Sequence, residues 1–138
     1  FYGYSKGILG WRTVDFEYER LNLEDYQGAA VVNYPDLTTK YTRIHEFKHL
    51  HPERNYSNRF TLIAREFSRI AERHDAPYYP INSKNDRLIL SEYRRLSKKE
   101  RGVLFGGRLG SYKYLDMHMA IASALNLFRH EISTRITN

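Results

Sequence analysis

The sequence contains no cysteine, which removes disulfides and thiolate chemistry in one step. A short secreted domain is more often stapled by disulfides, so a reducing compartment is favoured and the cytoplasm is the default expectation. No apolar run approaches the roughly 18 residues of a membrane span, and no charged-then-apolar segment opens the chain. Neither a spanning helix nor a signal peptide is therefore expected. The first residues, Phe1-Tyr2-Gly3-Tyr4, lack an initiator Met and read as the interior of a longer chain. There is also no internal repeat and no low-complexity segment, so neither a solenoid nor a disordered tract fits.

What is there suffices for one ordinary domain. In 138 residues, 41% are hydrophobic and 14% aromatic, enough to bury a core. Lys and Arg number 22 against 16 Asp and Glu, a formal charge of +6, and the pI is near 9.5. Such a balance favours an anionic partner and leaves nucleic acid, nucleotide and phosphosugar open.

Two halves follow along the chain. From Thr13 to Tyr18, Val14, Phe16 and Tyr18 alternate with Asp15, Glu17 and Glu19, the period of a half-buried strand. Gly28 to Tyr34 reads as a second strand stopped by Pro35-Asp36, Tyr41 to His49 as a third, and Arg59 to Glu66 as a fourth. Short connections favour an antiparallel meander. After Tyr79-Pro80 the period changes. Ser83 can cap a helix running to about Glu100, with Ile89, Tyr93 and Leu96 on one face. Val103-Leu104-Phe105 is expected as a short buried strand ended by Gly106-Gly107. A last helix starts at the cap residue Asp116 with Met117, Ile121, Ala124, Leu125 and Phe128 on a stripe. The class is α+β: an antiparallel sheet over 1–82, then helix, strand and helix over 83–138.

Three motifs carry chemistry. His45-Glu46-Phe47-Lys48-His49 matches the H-E-x-x-H of zinc hydrolases, which works only where helical spacing turns both imidazoles to one metal. Its surroundings favour a strand, on which the two histidines would lie about 13 Å apart. An accidental match and no metal site is the reading adopted. Phe105-Gly106-Gly107-Arg108-Leu109-Gly110 follows a predicted strand but lacks the full G-x-G-x-x-G, and too few residues follow it for a complete dinucleotide unit. Ser111-Tyr112-Lys113-Tyr114-Leu115-Asp116-Met117 puts two phenols, a cation and a helix start together, a set suited to phosphate oxygens or an electron-rich ring. A plain turn and a packed tyrosine pair are the competing readings of the last two. Arg43 and Tyr78-Tyr79-Pro80 are equally ambiguous alone. A basic module gripping nucleic acid through Lys/Arg and stacking bases on its 12 tyrosines is a further alternative, to be recognised by steep salt dependence.

Read in order, Arg12-Thr13-Val14-Asp15-Phe16-Glu17, Asp25-Tyr26-Gln27-Gly28, Val31-Val32-Asn33-Tyr34, Tyr41-Thr42-Arg43-Ile44, Pro77-Tyr78-Tyr79-Pro80-Ile81, Gly107-Arg108-Leu109 and Tyr112-Lys113-Tyr114-Leu115-Asp116-Met117 resemble the C-terminal half of bacterial UDP-galactopyranose mutases. The resemblance covers essentially the whole chain. It implies a segment of a three-part flavoprotein: residues 1–82 supply much of a substrate-domain sheet, and 83–138 return to the flavin domain. The glycine-rich FAD fingerprint and a helical bundle would lie outside this chain.

That family interconverts UDP-galactopyranose and UDP-galactofuranose, for galactofuranose in cell-envelope polysaccharide. Its cofactor is FAD, active when reduced, whose N5 forms the sugar adduct, so no catalytic side chain is expected here. Carried over by motif position, Arg43, Tyr79 and Tyr114 resemble diphosphate contacts and Asn33 a galactose contact. Arg108, Asp116 and Met117 resemble flavin contacts, and Tyr78 is a weaker candidate because adjacent residues of an extended segment face opposite ways. The implied partners are the nucleotide sugar and the rest of the parent chain. A homodimer is compatible with the resemblance, and neither nucleic acid nor a membrane span is implied.

Overall fold

Alternation from Thr13 builds the longest strand, β1 (Trp11–Leu21). In the computed structural model, which describes residues 1–133, it is followed by β2 (Val31–Asn33), β3 (Arg43–Glu46), β4 (Thr61–Ile70) and β5 (Tyr79–Pro80). The five strands form an antiparallel sheet in the order β2-β3-β4-β1-β5. Helices α1 (Lys84–Ser97), α2 (Gly107–Ser111) and α3 (Met117–Leu127) come after it, so the α+β class holds. Contacts divide the chain into Thr13–Ile70 and a second unit of Phe1–Arg12 with the residues from Ala71 on. The expected division instead fell between 82 and 83, and the end of its 83–138 segment lies outside the described residues.

Within Thr13–Ile70, β3 pairs β2 through Val31↔His45, Val32↔Ile44 and Asn33↔Arg43. On its other side it pairs β4 through Arg43↔Glu66 to Glu46↔Ile63. Ile44, Ile63 and Ala64 are fully buried and Val14 nearly so. The alternation of β1 places Val14 inside, Phe16 at the margin and Tyr18 outside. Cross-strand ion pairs Asp15–Arg69 and Glu19–Arg65 advance in opposite directions along β1 and β4, as antiparallel neighbours require. The β2 and β3 strands are shorter than predicted. Glu46 ends β3 because its buried carboxylate is used on a loop: it accepts the N–H groups of Tyr26 (3.1 Å) and Gln27 (2.9 Å) and the Thr61 hydroxyl (2.6 Å). A 3-10 turn, Phe47–Leu50, then carries the chain away.

In the other unit, α1 is fastened to the N-terminal segment. The Tyr93 hydroxyl donates to the Gly7 carbonyl at 2.7 Å, and Tyr2 stacks on both Tyr93 and Phe105. Ser83 caps α1 as predicted. Its hydroxyl accepts the Asp86 N–H at 3.1 Å while the Asp86 carboxylate accepts the Ser83 N–H at 2.8 Å, a reciprocal capping box. The other Asp86 oxygen accepts the Gly10 N–H at 2.8 Å.

Burial raises the pKa of the Asp86 carboxyl, but the bonds from Gly10 and Ser83 outweigh it and hold it below the usual carboxylate range. A depressed folded-state pKa contributes stability that is complete above the unfolded-state value and is lost as pH falls through the folded one. The urea midpoint is therefore expected to drop as pH is lowered below about 4. An Asp86→Asn variant, weaker at neutral pH, should lose less over the same interval. Parallel acid and neutral unfolding curves of both proteins check this, and equal acid losses would remove Asp86 from the account.

Two expectations are corrected, and the α3 stripe, present as read, is placed in solvent. Val103–Phe105 is not a strand, and the following glycines do not end one: Gly107, at φ +68, opens α2. Asp116 stands at the N-cap of α3 but its side chain makes no capping bond. The α3 stripe is exposed, with Met117 86% and Ile121 62% accessible, because the described residues supply no layer to cover it.

Candidate functional site

The segment Tyr78–Pro80 reaches the helical part of its unit through β5, which pairs Arg12↔Tyr79 and Trp11↔Pro80. The same unit brings Tyr114 to it. The rings of Tyr79 and Tyr114 stack at 5.7 Å with 28° between their planes. The Arg108 guanidinium lies 4.8 Å over the Tyr114 ring, and one of its nitrogens donates to the Tyr78 carbonyl at 3.1 Å. Three residues singled out from separate motifs thus form one cluster. Tyr78 contributes its backbone, with its ring tilted 41° to that of Tyr79. Tyr114 is 55% exposed, and neither its hydroxyl nor that of Tyr79 makes a hydrogen bond among the described residues. Two phenol donors without acceptors, beside a guanidinium that spends one nitrogen on the Tyr78 carbonyl, are the complement of phosphate oxygens.

The other two candidates lie in the sheet unit, where Asn33 on β2 is opposite Arg43 on β3. Arg43 is held by its neighbour on β4: its Nε is 3.3 Å from Glu66 Oε1 but is not aligned for a hydrogen bond. Glu66, nearly buried, also takes the Thr42 hydroxyl at 3.2 Å and His45 Nε2 at 3.1 Å. Such bracing fixes the base of the guanidinium, and its two terminal nitrogens have no partner among the described residues. Asn33 is exposed and its amide is equally unengaged.

Asp116 and Met117 follow Tyr114 by two and three residues. Because the Asp116 side chain makes no cap, the first-turn N–H groups of α3 receive no side-chain acceptor. Met117 presents an apolar, 86% exposed side chain beside them. An electron-rich planar ring such as a flavin fits that set: positive helix end, apolar contact and the Arg108 cation nearby in sequence.

The H-E-x-x-H residues do not converge as a zinc hydrolase needs. His45, on β3, turns to Glu66, whereas His49, on the 3-10 turn rather than the expected strand, is 2.9 Å from Asp25 and 3.5 Å from Glu46. Asp25, Glu46 and His49 do place ligand atoms within 4.8 Å of one another. The Glu46 oxygens, however, are already taken by two amides and a hydroxyl.

Sequence reading did not single out Asp86, and it named Tyr112 only as one of two phenols in the Ser111–Met117 motif. Tyr112 and Asp86 are 3% and 4% exposed, and the Tyr112 hydroxyl is bonded to the Asn82 N–H and the Gly10 carbonyl. Burial pushes the Tyr112 phenol up, and the neighbouring Asp86 carboxylate adds to that, so it remains a neutral hydroxyl. The Ser83-x-x-Asp86 spacing signals the capping box, but nothing in the sequence announces that Tyr112 adopts a left-handed backbone.

A family described as UDP-galactopyranose mutase matches residues 1–114, a span that holds Asn33, Arg43, Tyr79, Arg108 and Tyr114 and stops before Asp116. A probable UDP-galactopyranose mutase of Klebsiella pneumoniae is 42% identical over 125 residues, 91% of this chain and 32% of that protein. A dTDP-fucopyranose mutase of Escherichia coli is 38% identical, over 91% of this chain and 33% of that protein. A UDP-galactopyranose mutase of Mycoplasma pneumoniae is 34% identical, over 90% and 32%. The chain spans about a third of the length of these curated relatives.

Proposed function

The chain belongs to the UDP-galactopyranose mutase family, and from that premise we propose that it supplies the diphosphate-binding part of a mutase interconverting UDP-galactopyranose and UDP-galactofuranose. The observation that carries this reading is the cluster of Tyr79, Tyr114 and Arg108, whose phenols have no acceptor of their own. Isomerisation breaks the bond from the anomeric carbon to UDP and later remakes it. A mutase must therefore hold the departing diphosphate while the ring reopens. The Tyr79 and Tyr114 hydroxyls supply directed donors for that purpose, and Arg43, within the sheet unit, is read by itself as a phosphate contact through its unengaged terminal nitrogens. Asn33 can both donate to and accept from sugar hydroxyls.

FAD suits the residues around α3: Arg108, the Asp116–Met117 helix start and the exposed Met117 side chain would hold part of it. When bound and reduced, it supplies the nucleophile that takes the anomeric carbon from UDP. The role of this chain is to position the diphosphate and to place a positive helix end near electron density on the ring. The reaction is expected in the cytoplasm, and no helix among the described residues is long and apolar enough to cross a membrane. Nothing favours the nucleic-acid reading, since Tyr79 and Tyr114 stack on each other rather than as a platform.

In the full-length protein, Tyr114→Phe is expected to weaken UDP binding about tenfold, the value of one hydrogen bond to a charged group. Calorimetric titration with UDP measures it. Affinity unchanged within a factor of about two would take Tyr114 out of the site.

A further inference from the structure

Two of the three described non-glycine residues with positive φ, Asn82 (+57) and Tyr112 (+51), are joined by one hydrogen bond. The Asn82 N–H donates to the Tyr112 hydroxyl at 3.2 Å, and that hydroxyl donates to the Gly10 carbonyl at 2.5 Å. Left-handed backbone at residues other than glycine persists only where the surroundings over-determine it. Here the surroundings are explicit. Asp86 holds the Gly10 and Ser83 N–H groups and lies against the Tyr112 hydroxyl. Trp11 meets the Tyr112 ring edge-on at 5.0 Å. Gly10 is closed in as well, since a Cβ there would come within 3.2 Å of Asp86 and Ile81.

The location of this knot matters more than its strength. Asn82 is three residues after Tyr79, and Tyr112 is two residues before Tyr114 and ends the helix that carries Arg108. The single buried hydroxyl of Tyr112 therefore ties together the two backbone segments from which the stacked tyrosines project. We propose that Tyr112 is a positioning residue for nucleotide-sugar binding, its hydroxyl fixing the separation of the Tyr79 and Tyr114 phenols so that both reach one diphosphate. This rests on the reading of Tyr79 and Tyr114 as diphosphate contacts. Tyr112 itself is buried, so it acts through those two segments.

The test is made in the full-length enzyme, with UDP as probe and four variants: Tyr112→Phe, Tyr114→Phe, the double variant, and Tyr93→Phe. Tyr93→Phe is the structural control, because it deletes a phenol bonded to a glycine carbonyl of the same N-terminal segment, away from the tyrosine stack. Tyr112→Phe is expected to weaken UDP binding about fivefold to tenfold, whereas Tyr93→Phe lowers the melting temperature comparably and leaves affinity unchanged. The double variant should bind almost as well as Tyr112→Phe alone, since a Tyr114 phenol out of register has little left to lose.

The proposal is overturned if Tyr112→Phe lowers only the melting temperature, or if the Tyr112 and Tyr114 effects multiply. Should Tyr114→Phe alone leave UDP affinity intact, the diphosphate assignment fails first and the positioning role falls with it, an outcome recognisably different from the other two. If Tyr112→Phe does not fold, Asn82→Gly provides the second route. Glycine accepts the left-handed backbone without over-determination and keeps the N–H, so UDP affinity should stay at the wild-type value. A Tyr112 role confined to backbone strain would instead make Asn82→Gly loosen UDP binding, which would also overturn the proposal.

Discussion

If the proposed diphosphate role holds, replacing Arg43 by alanine in the full-length protein is expected to cost about 1.5 to 3 kcal/mol of UDP binding, a loss of roughly tenfold to a hundredfold or more. The size follows from how the side chain is held. Its Nε rests 3.3 Å from Glu66 Oε1, so the guanidinium has given up part of its rotamer freedom before any ligand arrives. Glu66 is itself fixed by Thr42 and His45. The terminal nitrogens remain unspent, and a guanidinium fork can meet a diphosphate with paired donors where an ammonium cannot. Arg43→Lys should therefore recover only part of the loss. Calorimetry at two salt concentrations provides the check, with a melting curve to show that the variant is folded. An alanine variant that binds UDP as tightly as the parent would end the assignment.

The largest effect on stability is expected at Glu46. Its carboxylate is fully buried and accepts two backbone N–H groups and a hydroxyl. Glu46→Ala leaves the Tyr26 and Gln27 amides and the Thr61 hydroxyl without an acceptor and opens a void beside Ile44 and Ile63. Unsatisfied buried donors cost about 1–3 kcal/mol each, so a destabilisation of about 3 kcal/mol or more is expected. Glu46→Gln should recover part of it, limited by an amide that offers one oxygen where the carboxylate offers two. Urea unfolding measures the total, and hydrogen exchange localises it: the Tyr26 and Gln27 amides should lose protection most. Unchanged protection at those amides would mean that the loop is held by something other than Glu46.

Both residues show how far the linear pattern reaches. Arg43 is conspicuous in the sequence as a cation between Thr42 and an apolar Ile44, yet its bracing by Glu66, 23 positions on, depends on the β3–β4 register. Glu46 sits inside a motif that spells a zinc hydrolase. Only the end of β3 and the start of a 3-10 turn show that it serves a loop. The helix start at Ser83 was legible because its cap partner is three residues away. The strand expected at Val103–Phe105 was not, because an isolated apolar triplet becomes a strand only if a neighbour offers its edge, and none among the described residues does.

From the sequence alone come the α+β class, the strand alternation of β1, the capped start of α1, the absence of any thiol chemistry and the family resemblance, since each depends on composition or on residues close along the chain. Tertiary structure decided the rest: that Tyr79, Tyr114 and Arg108 form one cluster, that Arg43 stands opposite Asn33, and that a left-handed Tyr112 knots Gly10 to Asn82. Those are contacts between residues up to 102 positions apart. Their geometry is set by strand register and by buried hydrogen-bond satisfaction, two constraints that come into force only when the chain closes on itself.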